Sequence, residues 1–388
     1  MNIQKVLKTV FILIILPGTL TGCWNLRELK DISIVMGVGY DIGKNSEPFA
    51  LSFEVVKPDA IKGSKEHQQS GGSKAFSIVK SSGNSVFGAV RSATHESSRK
   101  LYFPHNQMLV IGKEAAVSGV YDFFDFYIRD HETRPTVSVV VIDGKAEDIW
   151  NIDTQQDNLP SQTVENLLYA QKSNSQTPII NVQDFIIRLR SKTAAPIAPW
   201  SEINSIDGKQ VLYVSGTAVF KKDKLAGKLD EVETRGLLWT LGEVESGIVE
   251  IQCPEHNDSI GLEIIRSEGK IRTAIQGKKV YADITINTTQ FIGNMQCPYN
   301  TLLIENIKKL EKLSEAAIKN EVLSAVRKAK ALNADIFGFG DAVYKKYPRE
   351  WKTIEKDWDE LFMEIEVALD VECKIERAGT VNQNIEER

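Results

Sequence analysis

TLLIENIKKLEKLSEAAIKNEVLSAVRKAKALN, residues 301–333, contains no glycine or proline, and Leu303, Ile307, Leu310, Leu313, Ala317, Val322, Val326 and Ala329 recur along it at helical spacing. At 3.6 residues per turn this predicts one amphipathic helix of roughly nine turns. A helix that long needs an apolar surface to lie on, and the preceding sequence supplies strand candidates at 249–253, 261–266, 270–276 and 280–291. In the last of these Val280, Ala282, Ile284 and Ile286 alternate with more polar residues, the pattern of an antiparallel sheet covered on one face. Downstream, Trp351, Ile354, Trp358, Leu361 and Phe362 share one face of a second helix, and a closing strand over 363–375 places its odd-numbered residues inward, Cys373 among them. Strands grouped beside helices make this half of the chain α+β.

Working back towards the N-terminus, runs at 32–40 and 49–56 read as an antiparallel pair across a turn at 43–48, followed by strands at 76–80, 108–111 and 136–142. Residues 63–73 are polar and Gly-Ser-rich, a surface loop. Helices are expected at 85–96, 163–172 and 182–189, and one from near 113 to 130 with Val120, Phe123, Phe124, Tyr127 and Ile128 on its apolar face. Ala194-Ala195-Pro196-Ile197-Ala198-Pro199-Trp200, with two prolines, reads as a linker. The expected organisation is an N-terminal α/β domain over 23–200 and a C-terminal α+β region over 201–388, itself dividing near 245. After the linker come a hairpin over 211–229 and a helix-compatible stretch at 234–241. The predicted class is α+β and multi-domain, with mostly antiparallel or mixed sheets and helices packed on them.

The first 22 residues form a leader. Lys5 and Lys8 precede the apolar run Val10 to Leu16, which is seven residues against the roughly 20 needed to span a bilayer and is broken by Pro17 and Gly18. Leu20-Thr21-Gly22-Cys23 then resembles the bacterial lipobox, in which the cysteine takes a diacylglycerol and becomes the mature N-terminus. Cys23 is therefore the expected lipid-attachment residue, and two acyl chains hold a protein body firmly to a membrane where one is marginal. The chain carries 47 Lys and Arg against 52 Asp and Glu, a net charge of −5 that becomes −7 once Lys5 and Lys8 leave with the leader. That balance lacks the basic excess of a nucleic-acid-binding surface. Of the three remaining cysteines, Cys253 and Cys297 are the candidate pair for an exported protein, with two free thiols as the alternative that spacing does not exclude.

Chemistry is sparse. The five histidines show no i, i+4 pair, and Cys253-Pro254-Glu255-His256 with Cys297 is a weak metal-ligand set. Gly37-Val38-Gly39 and Gly338-Phe339-Gly340 fall short of any dinucleotide or phosphate-loop pattern and read as turn glycines. No Gly-x-Ser-x-Gly elbow is present. No catalytic residue, cofactor site or metal site is assigned, and the chain is not expected to be an enzyme.

The ordered motifs carry more. Thr21-Gly22-Cys23-Trp24, Arg27-Glu28-Leu29, Leu101-Tyr102-Phe103-Pro104-His105, Ile111-Gly112-Lys113-Glu114 and Arg129-Asp130 lie in the first half. Gly216-Thr217-Ala218-Val219-Phe220-Lys221-Lys222-Asp223-Lys224-Leu225, Glu233-Thr234-Arg235-Gly236-Leu237, Asp335-Ile336-Phe337-Gly338-Phe339-Gly340 and Trp351-Lys352 follow in the second. In order and spacing the set resembles the Ger(x)C lipoproteins, C subunits of GerA-type spore nutrient-germinant receptors; Asn25 departs from the acidic residue expected there. The resemblance implies a non-enzymatic subunit on the outer face of the spore inner membrane, anchored by lipid on Cys23. Its partners would be an A subunit and a transporter-like B subunit, and it would be required for the germination response to nutrients. Its contact surface is expected at the 63–73 loop or at the face carrying Tyr102, His105 and Arg129. The alternative is an extracytoplasmic solute-binding lipoprotein of an uptake transporter, which would show two βαβ lobes around a cleft.

Overall fold

The computed structural model describes residues 3–4, 29–44, 46–57, 74–130, 132–154, 157–254, 257–297, 299–301 and 303–376. Cys23, the motif around it and the 63–73 loop lie outside these residues. Two sheets organise the described residues. The first has nine strands: β1 (Ile32–Ile42), β2 (Phe49–Val56), β3 (Phe76–Gly83), β4 (Lys100–Tyr102), β5 (Met108–Gly112), β6 (Ser138–Ile142), β7 (Ile197–Ile206), β8 (Lys209–Lys221) and β9 (Lys224–Leu229). Their order is β3-β2-β1-β5-β6-β7-β8-β9, with β4 alongside β1. The middle strands β1, β5, β6 and β7 run parallel, and both flanks are antiparallel.

Every residue of β5 is buried, as parallel strands require when helices cover both faces. Alternate residues feed two cores. Leu109, Ile111, Val139 and Val141 join the first with Phe123, Phe124 and Phe185, whereas Met108, Val110, Val140 and Ile142 join a second with Trp150, Val164 and Leu168. The first face carries α1 (Val86–Ser92), α2 (Lys113–Ser118), α3 (Tyr121–Arg129) and α5 (Val182–Arg190), and the second is covered by α4 (Pro160–Ala170) and a 3-10 turn, Ala146–Asn151. The single helix expected over 113–130 is broken at Gly119, whose φ of 131° leaves the helical region. The break rotates α3 so that Phe126 is buried and Ile128 is half exposed.

Residues 194–200 are not a linker. Ala194, Ala195, Ile197, Ala198 and Trp200 are buried, and β7 starts at Ile197 between β6 and β8. Its proline, Pro199, sits where the ladder with β8 shifts register before Ser201, the kind of irregularity at which a sheet accommodates proline. The nine-stranded sheet thus continues past residue 200 to Leu229, and α6 (Glu231–Leu241) leads from it to the second sheet.

That sheet is β10 (Ile248–Gln252), β11 (Ser259–Gln276), β12 (Lys279–Met295) and β13 (Glu366–Glu376), in that order. The two strands expected at 261–266 and 270–276 are one long β11 with a register shift between Ile264 and Arg266. The bridge from β12 to β13 runs through α7 (Ile304–Ala331), α8 (Phe339–Lys346), α9 (Pro348–Ile354) and α10 (Trp358–Glu364), and this crossover makes β13 parallel to β12. The apolar residues at 351–362 fall on two short helices rather than one, with Trp351 and Trp358 rings 5.4 Å apart. The class is α+β, with a mixed sheet in each part and a 28-residue helix in the second.

Helix α7 lies on the four-stranded sheet through Ile307, Leu310, Ile318, Val322, Ala325 and Ala329, all buried. Leu303 and Leu313, expected on the same stripe, are exposed. Two of its glutamates serve the outer edge of β13: Ile375 N–H donates to Glu311 Oε1 at 3.0 Å and Cys373 N–H to Glu315 Oε1 at 3.4 Å. Unpaired strand donors are thereby covered. Cys253 and Cys297 form a disulfide that ties the end of β10 to the end of β12. Cys373 is a buried free thiol, pushed up to about 11 by desolvation.

Candidate docking surfaces and the motif residues

Leu29 begins a short 3-10 turn leading into β1, and Ile32 to Ile34 pair with Lys100 to Tyr102 of β4. Leu29 lies six positions after Cys23, a reach of at most about 22 Å at 3.3–3.6 Å per residue. A lipid on Cys23 would hold the β1–β4 end of the sheet within that distance of the bilayer. Tyr102 and His105 lie at this end, their rings 5.9 Å apart, with Tyr102 half-buried and His105 exposed.

Arg129 belongs to a different feature. Its Nε donates to Asp125 Oδ2 at 2.7 Å on the surface of α3, and this hydrogen bond raises the guanidinium's pKa. It edges a cleft of about 460 Å³ between α1 and α3, lined by Phe49, Phe87, Phe126, Asp122 and Asp130. Phe87 is half exposed, 5.9 Å from the Phe126 ring, with the Arg91 guanidinium 5.1 Å above it. The face expected from the sequence is therefore two surfaces: Tyr102 and His105 at the β4 end, Arg129 at the α1–α3 cleft.

A third surface was not singled out in the sequence. Gln252, Cys253, Pro254 and Asn257 form one wall of a groove of about 1110 Å³, and Glu305, Lys308, Lys309, Lys312 and Leu313 on α7 form the other. The signal available was the lysine spacing i, i+1, i+4, which reads equally as the solvated face of an amphipathic helix. Nothing in the sequence places the disulfide loop opposite it. Among the described residues no three His, Cys, Asp or Glu side chains gather as a metal site, and both cysteines of the weak ligand set are consumed by the disulfide.

The motif residues are mostly interior. Asp230 caps α6 by accepting from Glu233 N–H at 2.8 Å, and Glu233 Oε2 accepts in return from Asp230 N–H, a capping box. Thr234 and Thr217 hydroxyls are 2.9 Å apart, pinning α6 to β8. Arg235 embraces Glu321 of α7 with two donors, and its Nη1 donates to Ile248 O at 2.9 Å. Trp239 Nε1 donates to the same carboxylate at 2.9 Å. A Cβ at Gly236 would collide with the Glu321 carbonyl, so glycine sets the distance between α6 and α7. In the 335–340 motif, buried Asp335 accepts from Gly338, Phe339 and Gly340 N–H groups at 2.8, 3.0 and 2.8 Å. Burial outweighs those three bonds and raises the carboxyl to about 6. Ala195 N–H donates to Asp335 O, and Arg188 Nη1 donates to Ile336 O and Ala195 O, stitching this turn to the first sheet.

Gly37 and Gly39 are not turn glycines. They lie within β1 under Trp150, where a Cβ on Gly37 would sit 2.6 Å from the indole ring. Trp150 Nε1 donates to Ser52 Oγ at 2.7 Å, so the indole replaces the missing side chains.

Two family models tile the chain: "Spore germination protein N-terminal domain" matches residues 25–203, and "Spore germination B3/ GerAC like, C-terminal" matches 215–379. The chain belongs to the GerAC-like spore germination family. Among this family's members in Bacillus subtilis (strain 168), spore germination protein KC is 28% identical across 99% of this chain and 98% of its own length. Spore germination protein B3 is 24% identical across 94% and 96%. The GerAC-like fold is also shared with the crystal structure of the GerBC protein, which aligns with a TM-score of 0.57 at 18% identity over 90% of this chain and 99% of that one. The motifs that suggested the family serve mainly to join α6, α7 and the 335–340 turn to the strands beside them.

Proposed function

We propose that this chain is the lipid-anchored C subunit of a spore nutrient-germinant receptor. Lipid on Cys23 holds it on the outer face of the spore inner membrane, and it acts through assembly with the receptor's A and B membrane subunits. The observation that carries the reading is the match of both GerAC-like family models, in order, over nearly the whole chain after Cys23. Two further facts support it. No helix among the described residues is long and apolar enough to cross a membrane. The described residues also form no pair of βαβ lobes around a cleft, as the solute-binding alternative requires; their sheets are mixed and joined by α6.

Tethering confines the body to a thin layer beside its membrane partners, and the raised effective concentration lets modest surface contacts suffice. The test is isolation of the receptor from spore inner membranes through an affinity tag on this chain. Co-isolation of A and B subunits, with a diacylglycerol-modified Cys23 in the N-terminal peptide, is expected. An unmodified Cys23, or a chain recovered without either subunit, contradicts the reading.

A further inference from the structure

The groove between the disulfide-closed loop and the first turns of α7 is unlike the rest of this acidic protein. Lys308, Lys309 and Lys312 all face it. Lys312 Nζ pairs with Glu315 Oε2 at 2.7 Å, whereas Lys308 and Lys309 have no ion pair among the described residues. Lys308 and Lys312 are an i, i+4 pair of like charge, an arrangement that costs an isolated helix stability. Leu313, more than a third exposed, lies beside the lysines, and Ile304 at the start of the helix is largely exposed. Across the groove Gln252 and Asn257 offer amides that donate and accept. The disulfide fixes that wall by tying Cys253 to Cys297.

We propose that this groove seats an acidic segment of a partner protein, with its carboxylates on Lys308, Lys309 and Lys312 and an apolar side chain against Leu313. Charge complementarity selects the occupant: three lysines against one carboxylate, Glu305, line the groove, and Lys308 and Lys309 carry no ion pair among the described residues, on a chain of net charge −5. Chemistry favours a protein segment over an anionic bilayer: the Gln252 and Asn257 amides and the exposed Leu313 beside the lysines suit a chain that offers carboxylates, peptide groups and an apolar side chain together, in an open groove of about 1110 Å³. The proposal rests on the receptor-subunit reading for the source of the segment, which is then a membrane subunit of the same receptor.

The experiment uses the full chain in spores, with Lys309 replaced by the photo-crosslinker p-benzoylphenylalanine and, separately, exposed Ile206 of β7 replaced as a control. The receptor is isolated through this chain and the adduct mapped by mass spectrometry. A Lys309-position adduct to an Asp- or Glu-bearing segment of an A or B subunit is expected. That adduct, read from a second probe at Leu313, should fall at least tenfold in the variant K308E/K309E/K312E and persist when the three lysines are changed to arginine. Subunits that co-isolate but crosslink only through Ile206, an adduct with lipid alone, or an adduct indifferent to charge reversal overturns the groove while leaving the receptor reading intact. Absence of both subunits from the isolate overturns the receptor reading and the proposal with it.

Discussion

Glu54 and Glu321 are both buried carboxylates, and the two parts of the molecule hold them in opposite ways. Glu321 receives the Arg235 guanidinium through two donors and the Trp239 indole N–H, so charge and lone pairs are matched. Glu54, on β2 and fully buried, accepts one backbone N–H, from Ser161 at 3.3 Å in the first turn of α4, while its Oε1 has no partner among the described residues. Desolvation pushes its carboxyl up to about 7. A satisfied buried charge fixes the geometry of its neighbours, and an unsatisfied one is kept neutral instead. The core beneath Trp150 is therefore expected to depend on a proton.

The largest effect should follow from breaking the matched pair. Arg235→Ala leaves Glu321 buried without its cation and should cost about 3–5 kcal/mol, read as a lowered midpoint in denaturant. Changing both partners to leucine should recover most of that loss, because no orphaned charge remains. A midpoint unmoved by Arg235→Ala would break the comparison on its C-terminal side.

Glu54 gives the next effect, of opposite sign. Unfolded, it loses its proton near 4.5; folded, it keeps it to about 7, so the native state binds more protons in that window. Stability should fall as pH rises from 4.5 to 7 and then level. Glu54→Gln should remove this fall and stabilise the protein at pH 8 by up to about 3 kcal/mol, measured by denaturant titration across pH. An unchanged pH slope in that variant would show Glu54 to be ionised in the fold.

Smaller effects sharpen the same side. Gly37→Ala places a methyl against the Trp150 ring and should cost about 1–3 kcal/mol by overpacking. Trp150→Phe removes the hydrogen bond to Ser52 and a small buried volume, and a loss of about 1–2 kcal/mol is expected. Both are read from thermal midpoints at pH 5.5, where Glu54 is neutral.

Sequence made the second sheet legible and the middle of the first one opaque. α7 stood out because its stripe is uninterrupted, yet Leu303 and Leu313 were placed on the buried side, since periodicity says nothing of where the sheet beneath a helix ends. β11 was read as two strands because Ser267, Glu268 and Gly269 interrupt its apolar pattern; the ladder to β12 bridges them. β7 was read as a linker because prolines normally end strands, and a bulge that excuses one is a property of the partner strand. The Cys253–Cys297 pairing and the groove beside it depend on the turn-back of β12, which no local pattern records. Glu54 was visible as one charge within the apolar run 49–56, a signal that only burial on both faces of β2 makes meaningful.

We propose that this chain works as a tethered subunit of a nutrient receptor. The direct measurement is nutrient-triggered germination of spores carrying Cys23→Ala, with the level of the protein checked and a non-nutrient trigger as control. Loss of the response to the nutrient, with the non-nutrient trigger still effective, is the expected result. A normal nutrient response in spores whose only receptor of this type carries the variant would contradict it.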